Sequence, residues 1–439
     1  MPLCTKSYKK YCSRGKQMIE KFKSAKHLFD ASSAQLVNRF PANAMKVIAV
    51  TGTDGKTTTS TMIAAILRAN GSKTALLTTV SFDMGEGEEA NETRMTTLQP
   101  KKLFGLLKKA KANGCEYLVL EVTSHAMVQN RLWGIQFYMA VFTNITPEHL
   151  DYHKTFENYL AAKVRLFELT NRNKSGLRVG VINRKDKHYK AFAGAIFKPV
   201  FYGQGGEVTA VNIHRTDKLT SFEAKLQKQK IPISLNLLGG FNIDNALAAI
   251  TAADQLGIPA QSISQGIAGL KAVAGRMQYL DAGQDFGIII DFAHTPEAFK
   301  KVLSELRQIC KGKLIVVFGC PGERDKAKRP RQGEEAAKYS ELVVLTEDDP
   351  RSEKNSDIIA QIEVGLLSQG KILNKDYFIL PDRKKAIEFA ISQAKKHDIV
   401  ALLSKGDEKS IILNDGVIKP WDEMKAAKQA VIKKNSKNI

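Results

Sequence analysis

Two apolar rhythms alternate along this chain. Short runs dominated by β-branched residues end in glycine or a polar residue, and each gives way to a stretch with apolar positions three and four apart. Val47-Ile48-Ala49-Val50 stops at Thr51-Gly52 and is followed by Thr59-Ser60-Thr61-Met62-Ile63-Ala64-Ala65-Ile66-Leu67, a strand and then a helix. Tyr117-Leu118-Val119-Leu120 runs into Glu121, and Ala140-Val141-Phe142-Thr143-Asn144-Ile145 runs into Thr146-Pro147-Glu148-His149. Val179-Gly180-Val181-Ile182-Asn183 is a further strand. Apolar strands ending in polar residues predict a parallel sheet whose ligands gather at its carboxyl edge. Residues 207–236 alternate more loosely and predict an antiparallel insert, and Asn242 to Leu256 predicts a helix. After Gly275-Arg276 a second series begins, with strands starting at Gly287, Leu314, Leu342 and Ile399.

The expected fold is α/β. At 439 residues the chain is too long for one core. A central parallel-sheet domain is expected over 46–275, and a C-terminal Rossmann-like α/β domain over 276–439. Residues 1–45 carry Met18, Phe22, Leu28 and Phe29 at helical spacing. They fall below the ~50 residues of a small domain and read as a short basic helical lead-in.

Composition narrows the function. No apolar run reaches the ~18 residues of a membrane span, and Met1 to Lys26 lacks the apolar centre of a signal peptide. Cys4, Cys12, Cys115, Cys310 and Cys320 have no metal-ligand spacing and read as reduced thiols, which predicts a cytoplasmic protein. The net charge is +21, and much of it lies at the ends: residues 1–30 carry +6 and residues 419–439 carry +4. Aromatic interleaving and nucleic-acid motifs are missing, so attraction for a polyanionic small molecule is expected rather than nucleic acid.

The turn after the first strand carries the first chemistry. Gly52-Thr53-Asp54-Gly55-Lys56-Thr57-Thr58 is a shortened phosphate loop, since the common pattern asks for glycine where Val50 stands. Gly52 and Gly55 permit close backbone approach, and backbone N–H groups converge with the helix N-terminus on an anion. Lys56 supplies a cation for the phosphates, and Thr57 offers a hydroxyl to Mg²⁺. Glu121 adds a second hard oxygen ligand, and His149 a softer one. A lone histidine at a strand end more often only hydrogen-bonds; Glu121 and Lys56 on neighbouring strand ends favour the functional reading.

With these residues in place, the chain resembles the Mur ligase family, whose members use ATP to join an amino acid to a nucleotide-linked carboxylate. It looks most like the branch that adds the third residue of the peptidoglycan stem peptide. The likeness runs through the phosphate loop, Thr96-Thr97, Glu121-Val122-Thr123-Ser124-His125, the stretch Phe142 to His153, and Tyr159-Leu160-Ala161-Ala162-Lys163. It continues through Gly240-Phe241-Asn242, Gly275-Arg276-Met277, Asp291-Phe292-Ala293-His294, the stretch Val317 to Pro330, and Thr346 to Arg351, covering about residues 46 to 430.

The resemblance implies roles. Gly52, Thr53, Gly55, Lys56, Thr57 and Thr58 would hold ATP phosphates, and Thr57, Glu121 and His149 would hold Mg²⁺. Lys163 stands where the family carbamylates a lysine to make a further Mg²⁺ ligand; from the residues alone it is a helix-surface lysine. Asn245 and Asp291 would meet adenosine, Arg276 a phosphate, and His294 would lie near the nucleotide. Thr96, Thr97, Thr123, Gln129 and Arg131 would hold the acceptor, UDP-MurNAc-L-Ala-D-Glu. Arg324, Asp348, Asp349, Arg351, Ser404 and Glu408 would receive the incoming diamino acid. Lys56, Lys163, His149 and Arg276 would serve the chemistry, an acyl phosphate attacked by an amine, in a monomeric enzyme.

Two departures stand out. Residues 1–45 are shorter than the UDP-gripping domain of such enzymes. Diaminopimelate-adding members read Asp-Asn-Pro-Arg where this chain has Asp348-Asp349-Pro350-Arg351, and Gly-Lys-Gly-His-Glu where it has Ser404-Lys405-Gly406-Asp407-Glu408. Arg351 can grip a carboxylate bidentately, which favours meso-diaminopimelate, while Asp349 favours a cation such as L-lysine. A folylpolyglutamate-synthase-like ligase acting on another carboxylate is the neighbouring alternative. A P-loop ATPase binding nucleic acid through its basic ends is the alternative of a different class.

Overall fold

The structure, a computed structural model, describes residues 25–436 apart from 94, 217–218 and 414–415. Met18 and Phe22 of the expected lead-in lie outside the described residues. By internal contacts the chain divides into two compact units, Met1–Glu207 with Ala248–Ile263, and Val208–Leu247 with Ser264–Ile439.

The first unit is built on an eight-stranded sheet. Its strands are β1 (Lys46–Thr51), β2 (Thr74–Leu77), β3 (Ser81–Asp83), β4 (Glu88–Ala90), β5 (Tyr117–Glu121), β6 (Phe137–Phe142), β7 (Val179–Asn183) and β8 (Lys198–Tyr202), in the order β4-β3-β2-β5-β1-β6-β7-β8. The six strands from β2 to β8 in that order are parallel, and β3 and β4 add an antiparallel edge. Strand β5 is buried along its whole length and β1 from Val47 onward, as a sheet covered on both faces requires. Register sets Val50 beside Glu121 on one side and beside Val141 on the other. From β1 the chain leads off toward β2, and from β6 toward β7, so the crevice outside the carboxyl ends of these two strands is a topological switch point. Strand β6 ends earlier than the apolar run suggested, leaving Thr143 and Asn144 free to brace the neighbouring loop.

Residues 25–37 are helical, as expected for the lead-in, but the apolar face differs. Ala31, Ala34 and Gln35 are its buried residues, while Leu28 and Phe29 are exposed.

In the second unit, β9 (Thr209–Arg215), β10 (Thr220–Lys225) and β11 (Lys230–Leu235) form the expected antiparallel sheet. Ile231, Ile233 and Leu235 are buried, alternating with exposed residues at period two. A six-stranded sheet follows, formed by β12 (Gln278–Tyr279), β13 (Gly287–Ile290), β14 (Leu314–Phe318), β15 (Leu342–Leu345), β16 (Tyr377–Ile379) and β17 (Ile399–Leu402), ordered β12-β13-β17-β14-β15-β16. All but β12 run parallel. Its two faces are covered by separate apolar clusters, one around Phe299, Phe318 and Ile362, the other around Ile387, Val400 and Val431. Leu402 pairs with Ile290 and with Val317, so Asp291, Ser404 and Gly319 follow from neighbouring strand ends. Among the described residues no helix is long and apolar enough to cross a membrane.

Candidate active site

The phosphate loop leaves β1 through Gly52, whose φ is +154°. A Cβ there would lie 1.9 Å from Thr143 Oγ1, so only glycine fits. Gly55 has a left-handed φ of 80° and caps the helix Lys56–Ala69 without a side-chain bond to its first N–H groups. No acidic residue lies in that first turn, which leaves the positive end of the helix dipole open to an anion. The residues after β6 hold the loop: Thr53 N donates to Asn144 O at 2.8 Å, Asp54 N to Asn144 Oδ1 at 3.0 Å, and Thr143 Oγ1 to Asp54 O at 2.6 Å.

Two lysines meet at this loop. Lys56 Nζ folds back onto the carbonyls of Gly52 (3.0 Å) and Thr53 (2.8 Å). Lys163, on the helix Phe156–Arg172, donates to the same Gly52 carbonyl at 2.7 Å. It is 2% exposed, so the helix-surface reading of this lysine is overturned. Burial, and then the charge of Lys56, hold its amine well below the ordinary lysine range, because nearby Glu148 and Asp54 offset those effects only in part. An amine so placed gives up its proton more readily than an ordinary lysine, and its neutral form is a nucleophile.

Glu121, fully buried at the end of β5, joins the loop to the next group of residues. Its Oε1 accepts from Thr57 Oγ1 at 2.7 Å and its Oε2 from Thr79 Oγ1 at 2.7 Å. Its main-chain oxygen accepts from Thr97 Oγ1 at 2.9 Å, and that hydroxyl in turn accepts from Thr123 N at 3.0 Å. Thr79 Oγ1, its proton given to Glu121, lies 2.9 Å from Thr96 Oγ1, which can donate to it. Arg131 donates to Thr97 O (2.6 Å) and to Gln129 Oε1 (2.8 Å), and Gln129 reaches the Tyr152 hydroxyl at 3.3 Å. One hydrogen-bonded run thus connects Thr57, Glu121, Thr97, Thr123, Arg131 and Gln129. Thr57 and Glu121 offer adjacent hydroxyl and carboxylate oxygens, a donor set that suits Mg²⁺. Thr58 is buried in the same first turn.

His149 belongs to a ring cluster that its sequence position alone does not reveal. It sits at a left-handed φ of 56°, with its ring centroid 4.8 Å from His125. His125 also packs against Tyr152 at 4.2 Å and His153 at 5.4 Å, and His153 Nε2 lies 2.9 Å from Ser124 Oγ. Burial, with His149 next, pushes both His125 and His153 down to about 4, so both rings are neutral near pH 7.

In the second unit, Asp291 follows β13 and accepts from the backbone N–H groups of Met277 and Ala293, each at 2.7 Å. The Arg276 guanidinium lies 4.8 Å from the Phe292 ring centroid, and His294 packs against the same ring at 4.8 Å. Arg276 and His294 therefore flank Phe292. Asn245, on the helix Phe241–Gln255, bonds to Asn242 Oδ1 at 2.8 Å.

Asp348, Asp349 and Glu408 come together around a residue that motif reading passed over, Lys405. Its Nζ lies 2.6 Å from Asp349 Oδ1, 2.8 Å from Glu408 Oε2 and 3.2 Å from Asp348 Oδ1. Ser404 has a φ of 77°, a conformation suited to the glycine of the related motif, and its hydroxyl donates to Gly319 O at 2.9 Å. Arg351 bonds through its main chain to Ile412 O at 3.2 Å, and Arg324 is exposed on the loop after β14. Buried Arg383 braces the segments carrying this cluster: it donates to Glu347 O and Leu403 O and pairs with Glu423 at 2.7 Å. Arg383 and Glu423 stand forty positions apart, so no local spacing signals the pair.

Fold and site define a two-unit α/β enzyme with a nucleotide-phosphate loop and a charged pocket at a second carboxyl edge. Residues 50–253 match the Mur ligase middle domain, and residues 275–406 match the Mur ligase, glutamate ligase domain. The chain is 39% identical to the UDP-N-acetylmuramyl-tripeptide synthetase of Roseiflexus sp., over 89% of this chain and 79% of that one. It is 39% identical to the UDP-N-acetylmuramoyl-L-alanyl-D-glutamate–2,6-diaminopimelate ligase of Syntrophomonas wolfei, over 88% and 78%. A solved structure of a ligase with the latter name is 30% identical, with a TM-score of 0.63 over 92% of this chain and 83% of that one. Folylpolyglutamate synthase of Mycobacterium tuberculosis, 16% identical at a TM-score of 0.70 over 86% and 92%, shares the fold. The chain belongs to the Mur ligase family, and is a ligase.

Proposed function

We propose that this chain joins meso-diaminopimelate to the D-glutamate carboxylate of UDP-MurNAc-L-Ala-D-Glu at the cost of ATP, in the cytoplasm and as a monomer, with 46–275 and 276–439 as its working domains. The observation that carries this reading is the run from Thr57 through Glu121 and Thr97 to Thr123 and Arg131, which ties the phosphate loop to the acceptor residues through one carboxylate.

Lys56 and the loop N–H groups would hold the triphosphate, Arg276 a phosphate, and Asn245, Asp291 and His294 the nucleoside. Thr57, Glu121, His149 and Lys163 would hold Mg²⁺, which when bound neutralises phosphate charge. An acceptor carboxylate oxygen attacks the γ-phosphorus, ADP leaves, and the carboxyl carbon gains a phosphate leaving group. The amine then attacks that carbon, phosphate departs, and the nitrogen loses its extra proton. Stabilising the spread negative charge is the principal task, and Lys56 would swing from the loop carbonyls to supply a cation for it. The suppressed basicity of Lys163 supports carbamylation: its neutral nitrogen bonds to the carbon of CO₂ and releases a proton, leaving a carboxylate-like ligand.

L-lysine is the second reading, favoured by Asp349 in place of asparagine. Phosphate release from ATP, measured with UDP-MurNAc-L-Ala-D-Glu and either amino acid and paired with mass detection, tests both. A tripeptide product with meso-diaminopimelate is expected. No product with either amine, while ATP still binds, overturns the proposal. Mass spectrometry under CO₂ would register carbamylated Lys163 as a mass gain absent from Lys163→Met.

A further inference from the structure

An ammonium without water needs carboxylates, and carboxylates packed together need a cation. The acidic cluster of the second unit holds its own. The Lys405 side chain is 0% exposed and touches Asp348, Asp349 and Glu408, occupying the place a bound cation would take. Its shortest contact, 2.6 Å, goes to Asp349, the position that carries asparagine in the diaminopimelate-type motif. Asp349 Oδ1 also accepts from Ile412 N at 2.9 Å. The negative charge this chain adds at Asp349 is therefore bonded inside the protein. Asp348 Oδ1, buried and 3.2 Å from the ammonium, makes no hydrogen bond among the described residues.

We infer that Lys405 is a specificity-determining positioning residue: an internal counter-ion that keeps the cluster from capturing a simple cationic side chain and so favours an amino acid whose far end carries both an ammonium and a carboxylate. The inference rests on the proposed function, which makes these acids the amino-acid pocket. Three carboxylates alone would pull a lone ammonium strongly and repel a carboxylate. With Lys405 among them both forces weaken, and Arg351 is left to meet a carboxylate with its guanidinium fork. Burial raises the Glu408 carboxyl above its usual range, and Lys405 offsets that rise only in part.

The test is the ratio of kcat/KM for meso-diaminopimelate to that for L-lysine, measured on the full chain and three variants. Lys405→Met is expected to lower the ratio about tenfold or more, chiefly through a higher KM for the diacid. Lys405→Arg retains most of it. Asp349→Asn, which leaves the cation with fewer acids, raises the ratio and carries the test if Lys405→Met does not fold. Combining Lys405→Met with Asp349→Asn returns the ratio toward the wild-type value. Equal losses on both amines, or a ratio unmoved by Asp349→Asn, overturn the inference and leave the ligase reading standing. A wild type that joins neither amine removes the ligase reading and this inference together.

Discussion

Two buried lysines, one in each unit, meet opposite fates. Lys163 and Lys405 are both removed from water, yet Lys163 is held well below the ordinary lysine range and Lys405 above it. The difference is company. Lys163 bonds to a carbonyl, feels Lys56, and gains only partial relief from Glu148 and Asp54, whereas Lys405 has three carboxylates within 3.2 Å. Burial sets the size of what is at stake, and partners decide its sign. One lysine holds its proton more loosely than usual, the other more tightly.

The largest effect expected is at Lys405. Lys405→Met leaves three carboxylates packed without their cation and costs about 3–5 kcal/mol of stability, as loss of one partner from a buried pair does; urea unfolding measures it. Because its folded pKa lies above 10.5, this contribution is intact below that pH and is lost as pH rises through the folded value. Next is Lys56→Met, expected to cut kcat about 10²–10³-fold with little change in stability, read from initial rates of ATP turnover. Lys163→Met should move stability the other way, raising it by about 1–2 kcal/mol at neutral pH in CO₂-free buffer while abolishing activity. Its sign follows from a depressed base: below 10.5 the unfolded chain binds the proton that the fold disfavours, so the wild type closes the gap as pH rises from the depressed value toward 10.5. A stability difference independent of pH would break the comparison. Smallest is Ser404→Gly, where relief of the left-handed φ offsets loss of the hydroxyl bond to Gly319 O, for a net change under about 1 kcal/mol.

Much of the first site was legible because it is local. Gly52, Gly55, Lys56 and Thr57 lie within six positions, and Glu121 closes a strand whose apolar run is unmistakable; the structure then sets Thr57 on Glu121. What stayed hidden depends on long-range pairing. Lys405 lies inside a quoted motif, but only the register of β17 beside β14, and of β14 beside β15, brings it to Asp348 and Asp349. Strands β3, β4 and β16, with three residues each, and β12, with two, are too short to show a period. The exposed Leu28 and Phe29 show the converse failure, since apolar spacing marks a helix without saying which side is covered.

The carbonyl of Gly52 receives both Lys56 and Lys163, at 3.0 and 2.7 Å. A triphosphate that draws Lys56 to itself brings negative charge beside an amine whose hold on its proton burial has weakened. Nucleotide binding is then expected to draw a proton toward that amine, and the heat of binding to depend on which buffer surrenders it. Titration in two buffers of different ionisation enthalpy counts it, before any bond is made or broken.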